Sequence, residues 1–190
     1  ALVTVHRALD LGITLLDTGD FYGMGHNEML IGQALKQGSK RDKAIISVKF
    51  GGQRGPDGHF VGYATDRAAT RTALAYTLKR LRVDYIDIYR PARVAPNITI
   101  EDTVGAIAEM VKEGYVRHIG LSEAGVDTIR KAHAVHPIVD LQIEYAILTR
   151  GVEDKILPVR RELGIGMTVD GVLSRGLISG SALAGGSRSG

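Results

Sequence analysis

Ala44-Ile45-Ile46-Ser47-Val48-Lys49-Phe50 is a β-branched, apolar run that closes on a single ammonium. Such a run reads as a strand buried on both faces, because a half-solvated strand would alternate polar and apolar residues. Lys49 is its informative residue, since an ammonium there is expensive to bury unless a carboxylate meets it. Five more runs of this kind lie at residues 14–18, 84–90, 118–122, 140–145 and 165–169. Each places a polar or ionisable group at or next to its C-terminal end: Asp17, Arg90, Ser122, Glu144 and Asp170.

Helical periods with legible ends separate these runs. Asn27 is a candidate N-cap for a helix presenting Leu30, Ile31, Ala34 and Leu35 on one face, with Gly38 as its stop. Asp66 can cap the next, in which Leu74, Leu78 and Leu81 fall on one stripe. Thr99 and Asp102 resemble a capping box ahead of Val104, Ile107, Ala108 and Val111, and that helix stops at Gly114. Residues 126–135 end before Pro137, and residues 152–163 end at Gly164.

Strands alternating with helices specify a parallel α/β sheet, open or closed. A doubly wound sheet carries a glycine-rich turn after its first strand, but Gly23-Met24-Gly25-His26-Asn27-Glu28 has Glu where that turn needs a small residue. A (β/α)8 barrel gathers its chemistry at the C-terminal strand ends, where the ionisable residues of this chain fall. The expected fold is therefore an α/β (β/α)8 barrel, and an incomplete one. Such barrels need about 250 residues, whereas this chain has 190. Six strands are visible, and a first strand before Ala1 and an eighth after Gly190 are expected. Residues 1–178 read as the partial barrel, and residues 179–190, rich in Gly and Ser, as a loop or disordered tail.

Composition narrows the partners. Lys and Arg (24) exceed Asp and Glu (21) by three, and the basic residues cluster no further than pairs such as Lys40-Arg41 and Arg160-Arg161. That pattern lacks a nucleic-acid footprint. No apolar run approaches the roughly 18 residues of a membrane span. The absence of Cys excludes disulfides and thiolate metal sites and fits a reducing, cytoplasmic location. His133 and His136 stand at i, i+3 without a third ligand at metal-site spacing, so no metal is expected.

Leu16-Asp17-Thr18-Gly19-Asp20-Phe21-Tyr22-Gly23 spans the end of the first run. On adjacent barrel strands Asp17 comes within reach of Lys49, with Tyr22 on the loop above. A phenol is a poor acid near neutral pH, and a neighbouring ammonium stabilises its anion. The same residues also suit a purely structural Asp–Lys pair with Tyr22 as loop packing. Residues 51–65 form a long glycine-rich connection whose Phe60 and Tyr63 suit a lid, or simple disorder. Phe21, Phe50 and Tyr89 are expected to line an apolar pocket at the barrel mouth.

Taken together, these stretches resemble the aldo-keto reductases, over residues 8–180. The carriers are Asp17-Thr18 through Tyr22-Gly23, Asn27-Glu28 with Ile31-Gly32, Val48-Lys49-Phe50-Gly51, Asp84 through Tyr89, Ile119-Gly120-Leu121-Ser122-Glu123, Leu141 through Tyr145 and Leu173-Ser174-Arg175-Gly176-Leu177. The resemblance is to the NADP-dependent oxidoreductase branch, which includes perakine-reductase-like and potassium-channel-β-subunit-like proteins. It implies hydride transfer from NADPH to a small-molecule aldehyde or ketone. Tyr22 would be the general acid, assisted by Lys49 and Asp17. Ser122, Glu123, Gln142 and Asp170 would lie against the nicotinamide, and Gly171, Leu173, Ser174, Arg175 and Gly176 along the pyrophosphate.

Two departures qualify that implication. The family His that donates to the carbonyl oxygen aligns with Ala92, which has no donor; Arg90, two residues earlier on the same strand face, is the candidate substitute. The bland reading of Arg90 is an ion pair with Asp87 or Glu144. The family's nicotinamide-stacking aromatic aligns with Asp170, and its Asn with Glu123, which adds negative charge beside the ring. The alternative function is an NADP(H)-binding regulatory or sensor protein of the same fold with little turnover.

Overall fold

Main-chain pairing converts the six apolar runs into six parallel strands. The computed structural model describes residues 1–38 and 40–178, so the expected tail at 179–190 lies outside the described residues. In chain order the strands are β1 (Leu15–Gly19), β2 (Ile45–Phe50), β3 (Gly52–Arg54), β4 (Phe60–Tyr63), β5 (Ile86–Pro91), β6 (Val116–Ser122), β7 (Ile138–Glu144) and β8 (Gly166–Asp170). One sheet runs β1-β2-β5-β6-β7-β8, each strand parallel to its neighbours. The helices are α1 (Leu2–Asp10), α2 (His26–Gly38), α3 (Arg67–Leu81), α4 (Ile100–Lys112), α5 (Val126–Val135) and α6 (Ile156–Glu162).

The sheet curls. Four strand spacings separate β1 from β7, about 19 Å in a flat sheet, yet Gln142 on β7 donates to Asp17 on β1 at 2.9 Å. That closure makes a partial barrel with an inner and an outer face. Period-two alternation sends Ile46, Val48 and Phe50 outward into a buried core with Leu74, Leu81, Val104, Ile107 and Ile129 from the helices. Ser47 and Lys49 point inward, where they meet Asp17, Arg90 and Gln142. Phe50 and Tyr89 stack at 4.2 Å and are fully buried, so they belong to the core and not to a pocket at the mouth.

Local signals fixed most helix ends. Asp66 accepts from the backbone N–H groups of Ala68 and Ala69, and Thr99 accepts from that of Asp102. Asn27 is not a cap: α2 already begins at His26, and Asn27 Oδ1 instead accepts from Thr18 Oγ1 at 2.7 Å. The chain enters α2 from a left-handed turn at Gly23, Met24 and Gly25 (φ 56, 53 and 91). The sixth helix is shorter than residues 152–163 because Pro158 is tolerated only in a first turn. His136 lies past the end of α5 in extended backbone, so it does not share a helix face with His133.

Residues 51–65 are neither a bare loop nor disordered. β3 and β4 pair antiparallel across a turn closed by Gly55 and His59, and Phe60 meets Tyr63 edge-on at 4.9 Å. Pro56-Asp57-Gly58, with Gly58 at φ +83, supplies the turn chemistry.

Gly32 allows α2 to lie directly on α3. A Cβ there would stand 2.5 Å from the Leu81 carbonyl oxygen and 2.8 Å from that of Arg80. Gly32→Ala is therefore expected to destabilise the fold by about 1–3 kcal/mol through forced separation of the two helices. The measurement is the urea midpoint; an unchanged midpoint would show that the helices part freely.

Candidate active site

The inner face of the sheet carries a charged layer near its C-terminal edge. Lys49, 7% exposed, donates from Nζ to Asp17 Oδ2 at 2.6 Å and to Gln142 Oε1 at 2.7 Å. Gln142 returns a hydrogen bond from Nε2 to Asp17 Oδ2 at 2.9 Å, closing a triangle across β1, β2 and β7. A buried ammonium needs such partners, and the curl of the sheet brings them together from positions far apart in sequence. The Tyr22 ring lies over this triangle with Lys49 Nζ 5.1 Å from its centre, and Phe21 meets it edge-on at 5.0 Å. Tyr22 is 38% exposed, so its ring faces the open side of the cluster.

Below this triangle lies a second charge pair. Arg90 has no exposed surface; it donates to Ser47 Oγ and sits 3.6 Å from Asp17 and 2.8 Å from Asp140. The contact with Asp140 is off the N–H axis, hence Coulombic and not a directed hydrogen bond. Gly120 of β6, in register with Asp140, keeps the crossing clear: a Cβ there would meet Ile88 Cγ2 at 3.0 Å and Arg90 Cβ at 3.5 Å. Thr168 on β8 donates to Asp140 at 2.9 Å.

This corrects both expectations for Arg90. Its guanidinium is enclosed among inner-face partners and does not reach the mouth as a substitute for the missing His. Nor does it pair with Asp87 or Glu144. Asp87, three residues earlier, points to the opposite face and is held by Arg41 at 2.8 Å, while Glu144 is exposed and accepts from Thr149. Ala92 is buried; the adjacent Arg93 brings a cation to this edge, donating to Ser122 Oγ at 3.4 Å and to the Ala92 carbonyl at 2.5 Å.

The remaining predicted residues line the same edge. Ser122 ends β6 and shares a cleft of about 450 Å³ with Arg93, Glu123 and Lys131. Glu123 is left-handed (φ 51), and its carboxylate accepts the N–H of Glu144 at 2.7 Å, which partly offsets its charge. Asp170 is exposed at the end of β8, in register with Glu144. Gly171 has φ +64, where a Cβ would meet Glu144 Cγ at 3.0 Å. Beyond exposed Leu173, the backbone is left-handed through Ser174, Arg175 and Gly176 (φ 48, 54 and 88). Non-glycine residues pay for that conformation, and such strain concentrates at ligand clamps.

Sequence reasoning missed Asp20, which lies between Asp17 and Tyr22. Burial pushes its carboxyl up to about 6, against the pull of the Gly51 N–H. An isolated acidic letter in a loop gives no signal of burial; that depends on α2 and α3 packing beside it.

A family model described as the aldo/keto reductase family matches residues 1–187. The chain belongs to that family. A "probable aldo-keto reductase 1" of Glycine max is 47% identical over 181 residues, which is 94% of this chain and 51% of that protein. This chain thus spans about half the length of the curated relative it matches. Among solved structures, a glycerol dehydrogenase from Gluconobacter oxydans aligns at TM-score 0.89 and 28% identity, over 94% of this chain and 55% of that one. An aldo/keto reductase from Klebsiella pneumoniae, described in complex with NADP and acetate, shares the fold at TM-score 0.80 and 24% identity, over 94% and 60%. The six-stranded curled sheet is therefore part of the aldo-keto reductase (β/α)8 barrel. Among the described residues, no helix is long and apolar enough to cross a membrane, and no group of three His, Asp or Glu is placed to hold a metal.

Proposed function

We propose that this chain carries the reaction centre of an NADPH-dependent reductase of small aldehydes or ketones. One observation carries the reading: Lys49 Nζ stands 2.6 Å from Asp17 and 5.1 Å from the centre of the Tyr22 ring. Asp17 fixes the ammonium; the ammonium stabilises negative charge as it develops on the phenol; Tyr22 hands its proton to the carbonyl oxygen. Arg90 acts through Asp17 as a positioning residue. Proton donation at the mouth falls to Tyr22, since Ala92 offers nothing and Arg90 is enclosed.

The residues present fit a nicotinamide dinucleotide. Ser174 Oγ is buried without a hydrogen-bond partner among the described residues, within the left-handed turn at 174–176. An orphan hydroxyl in such a turn suits a pyrophosphate oxygen. Ser122 offers a hydroxyl to the carboxamide, and the Gln142 amide, engaged by Lys49 and Asp17, holds the reaction centre beside it. When bound, the cofactor supplies hydride to the carbonyl carbon. Membership of the aldo-keto reductase family supports a nicotinamide cofactor for this chain.

The test is NADPH fluorescence on mixing, followed by NADPH consumption across a panel of aldehydes and ketones. Binding with carbonyl-dependent consumption is expected. Binding without consumption would turn the reading toward a sensor, and no binding would reduce the Asp17–Lys49 pair to a structural role.

A further inference from the structure

Asp20 ties the ends of β1 and β2 together from the outer side of the sheet. Its backbone N–H donates to the Lys49 carbonyl at 2.9 Å, and its Oδ2 accepts the Gly51 N–H at 3.2 Å. One residue thus grips the chain on both sides of Phe50, immediately after Lys49 and two residues before Tyr22. The gripped segment has little slack: Gly51 is at φ +97, and a Cβ there would stand 3.0 Å from both the Ala64 carbonyl oxygen and Thr65 Cγ2.

We propose that Asp20 is a positioning residue whose ionisation tightens this clamp and whose protonation loosens it, so that the Lys49–Tyr22 geometry follows pH. As regulation of turnover, this rests on the reaction proposed above. The surroundings explain why the group titrates within a useful range. From α2, fully buried Glu28 faces it; from α3, Arg80, whose charge acts on Asp20, is already engaged by Glu28 Oε2. From β5 comes the buried Tyr89 hydroxyl, which burial keeps protonated. Asp20 Oδ1, Glu28 Oε1 and the Tyr89 hydroxyl are all buried without hydrogen-bond partners among the described residues.

Burial, with the Glu28 charge adding to it, outweighs the Gly51 hydrogen bond and the Arg80 charge that favour ionisation. A cleft of about 350 Å³, lined by Asp20, Phe21, Arg54, Tyr76 and Arg80, gives protons access. The sign follows from hydrogen-bond strength. An ionised carboxylate accepts from the Gly51 N–H more strongly than a neutral acid does, so the clamp is tight above the midpoint and weak below it.

The test follows the Gly51 amide and the Tyr22 ring by NMR across about pH 5 to 8, in the natural protein and in Asp20→Asn. Both signals are expected to move together with a midpoint of about 6, and neither should move in the variant. Movement of Gly51 without Tyr22, or a transition that survives Asp20→Asn, overturns the inference. In parallel, kcat/KM for carbonyl reduction is expected to fall about tenfold from pH 7.5 to 5 in the natural protein and to stay flat in the variant. An acid limb retained by Asp20→Asn overturns the link to turnover. Failure to reduce any carbonyl at any pH overturns the proposed reaction instead, and the NMR result still decides whether the clamp titrates.

Discussion

Tyr22→Phe is expected to lower kcat/KM for carbonyl reduction by about 10²- to 10⁴-fold, the usual contribution of a positioned proton donor. Dinucleotide affinity should stay within about twofold, because the ring itself remains. Its edge-on contact with Phe21 at 5.0 Å and its position over Lys49 do not depend on the hydroxyl. The paired measurements are steady-state reduction of a neutral aldehyde and NADPH titration by fluorescence. A loss below tenfold would show that the proton reaches the carbonyl oxygen from elsewhere, such as water, because the exposed guanidinium of Arg93 beside Ser122 can donate a hydrogen bond but not give up its proton. A large loss of NADPH binding would show instead that Tyr22 serves the cofactor. The natural Ala92 sharpens the experiment, since no imidazole at that position can partly rescue the variant.

How much of this arrangement could be read from the chain depended on whether the decisive constraint was local. The Asp17–Lys49 pair was legible because a buried ammonium demands a carboxylate, and the neighbouring parallel strand supplies one on the same face, two residues away in register. The third member, Gln142, is 93 residues from Lys49, and only the resemblance pointed to it. Curling of the sheet, which no single segment encodes, makes that contact. The partner of Arg90 was misjudged for a simpler reason: Asp87 is an odd number of residues away and so faces the other side of the sheet. Asp140 lies 50 residues on and is reachable only because β6 presents Gly120 between them. The β3–β4 hairpin was missed despite the turn residues Pro56-Asp57-Gly58, because its flanks are short and glycine-rich and carry almost no alternating pattern. Asp20 was invisible, since its burial is a property of α2 and α3 and not of its own neighbours in sequence.

Arg90→Met tests whether the enclosed guanidinium is structural support for the site. The substitution keeps an unbranched apolar stem but leaves Asp140, whose side chain is 9% exposed, without its cation, and deprives Asp17 of its second one. Removing one partner of a buried pair costs about 3–5 kcal/mol, because the remaining charge keeps its desolvation penalty. A loss of that size is expected in denaturant unfolding. Adding Asp140→Asn should recover at least about half of it, since the amide can still accept from Thr168 Oγ1 and no longer needs a cation. The two substitutions would then be strongly non-additive. Additive losses, or a loss below about 1 kcal/mol, would mean that the 2.8 Å approach of Arg90 to Asp140 contributes little. Activity in the same variants tests the positioning role. If Arg90 acts by holding Asp17 in place, the double variant regains stability but stays slow, because Asp17 still lacks its second cation. A stable double variant with the turnover of the natural protein would show that Arg90 does not position Asp17.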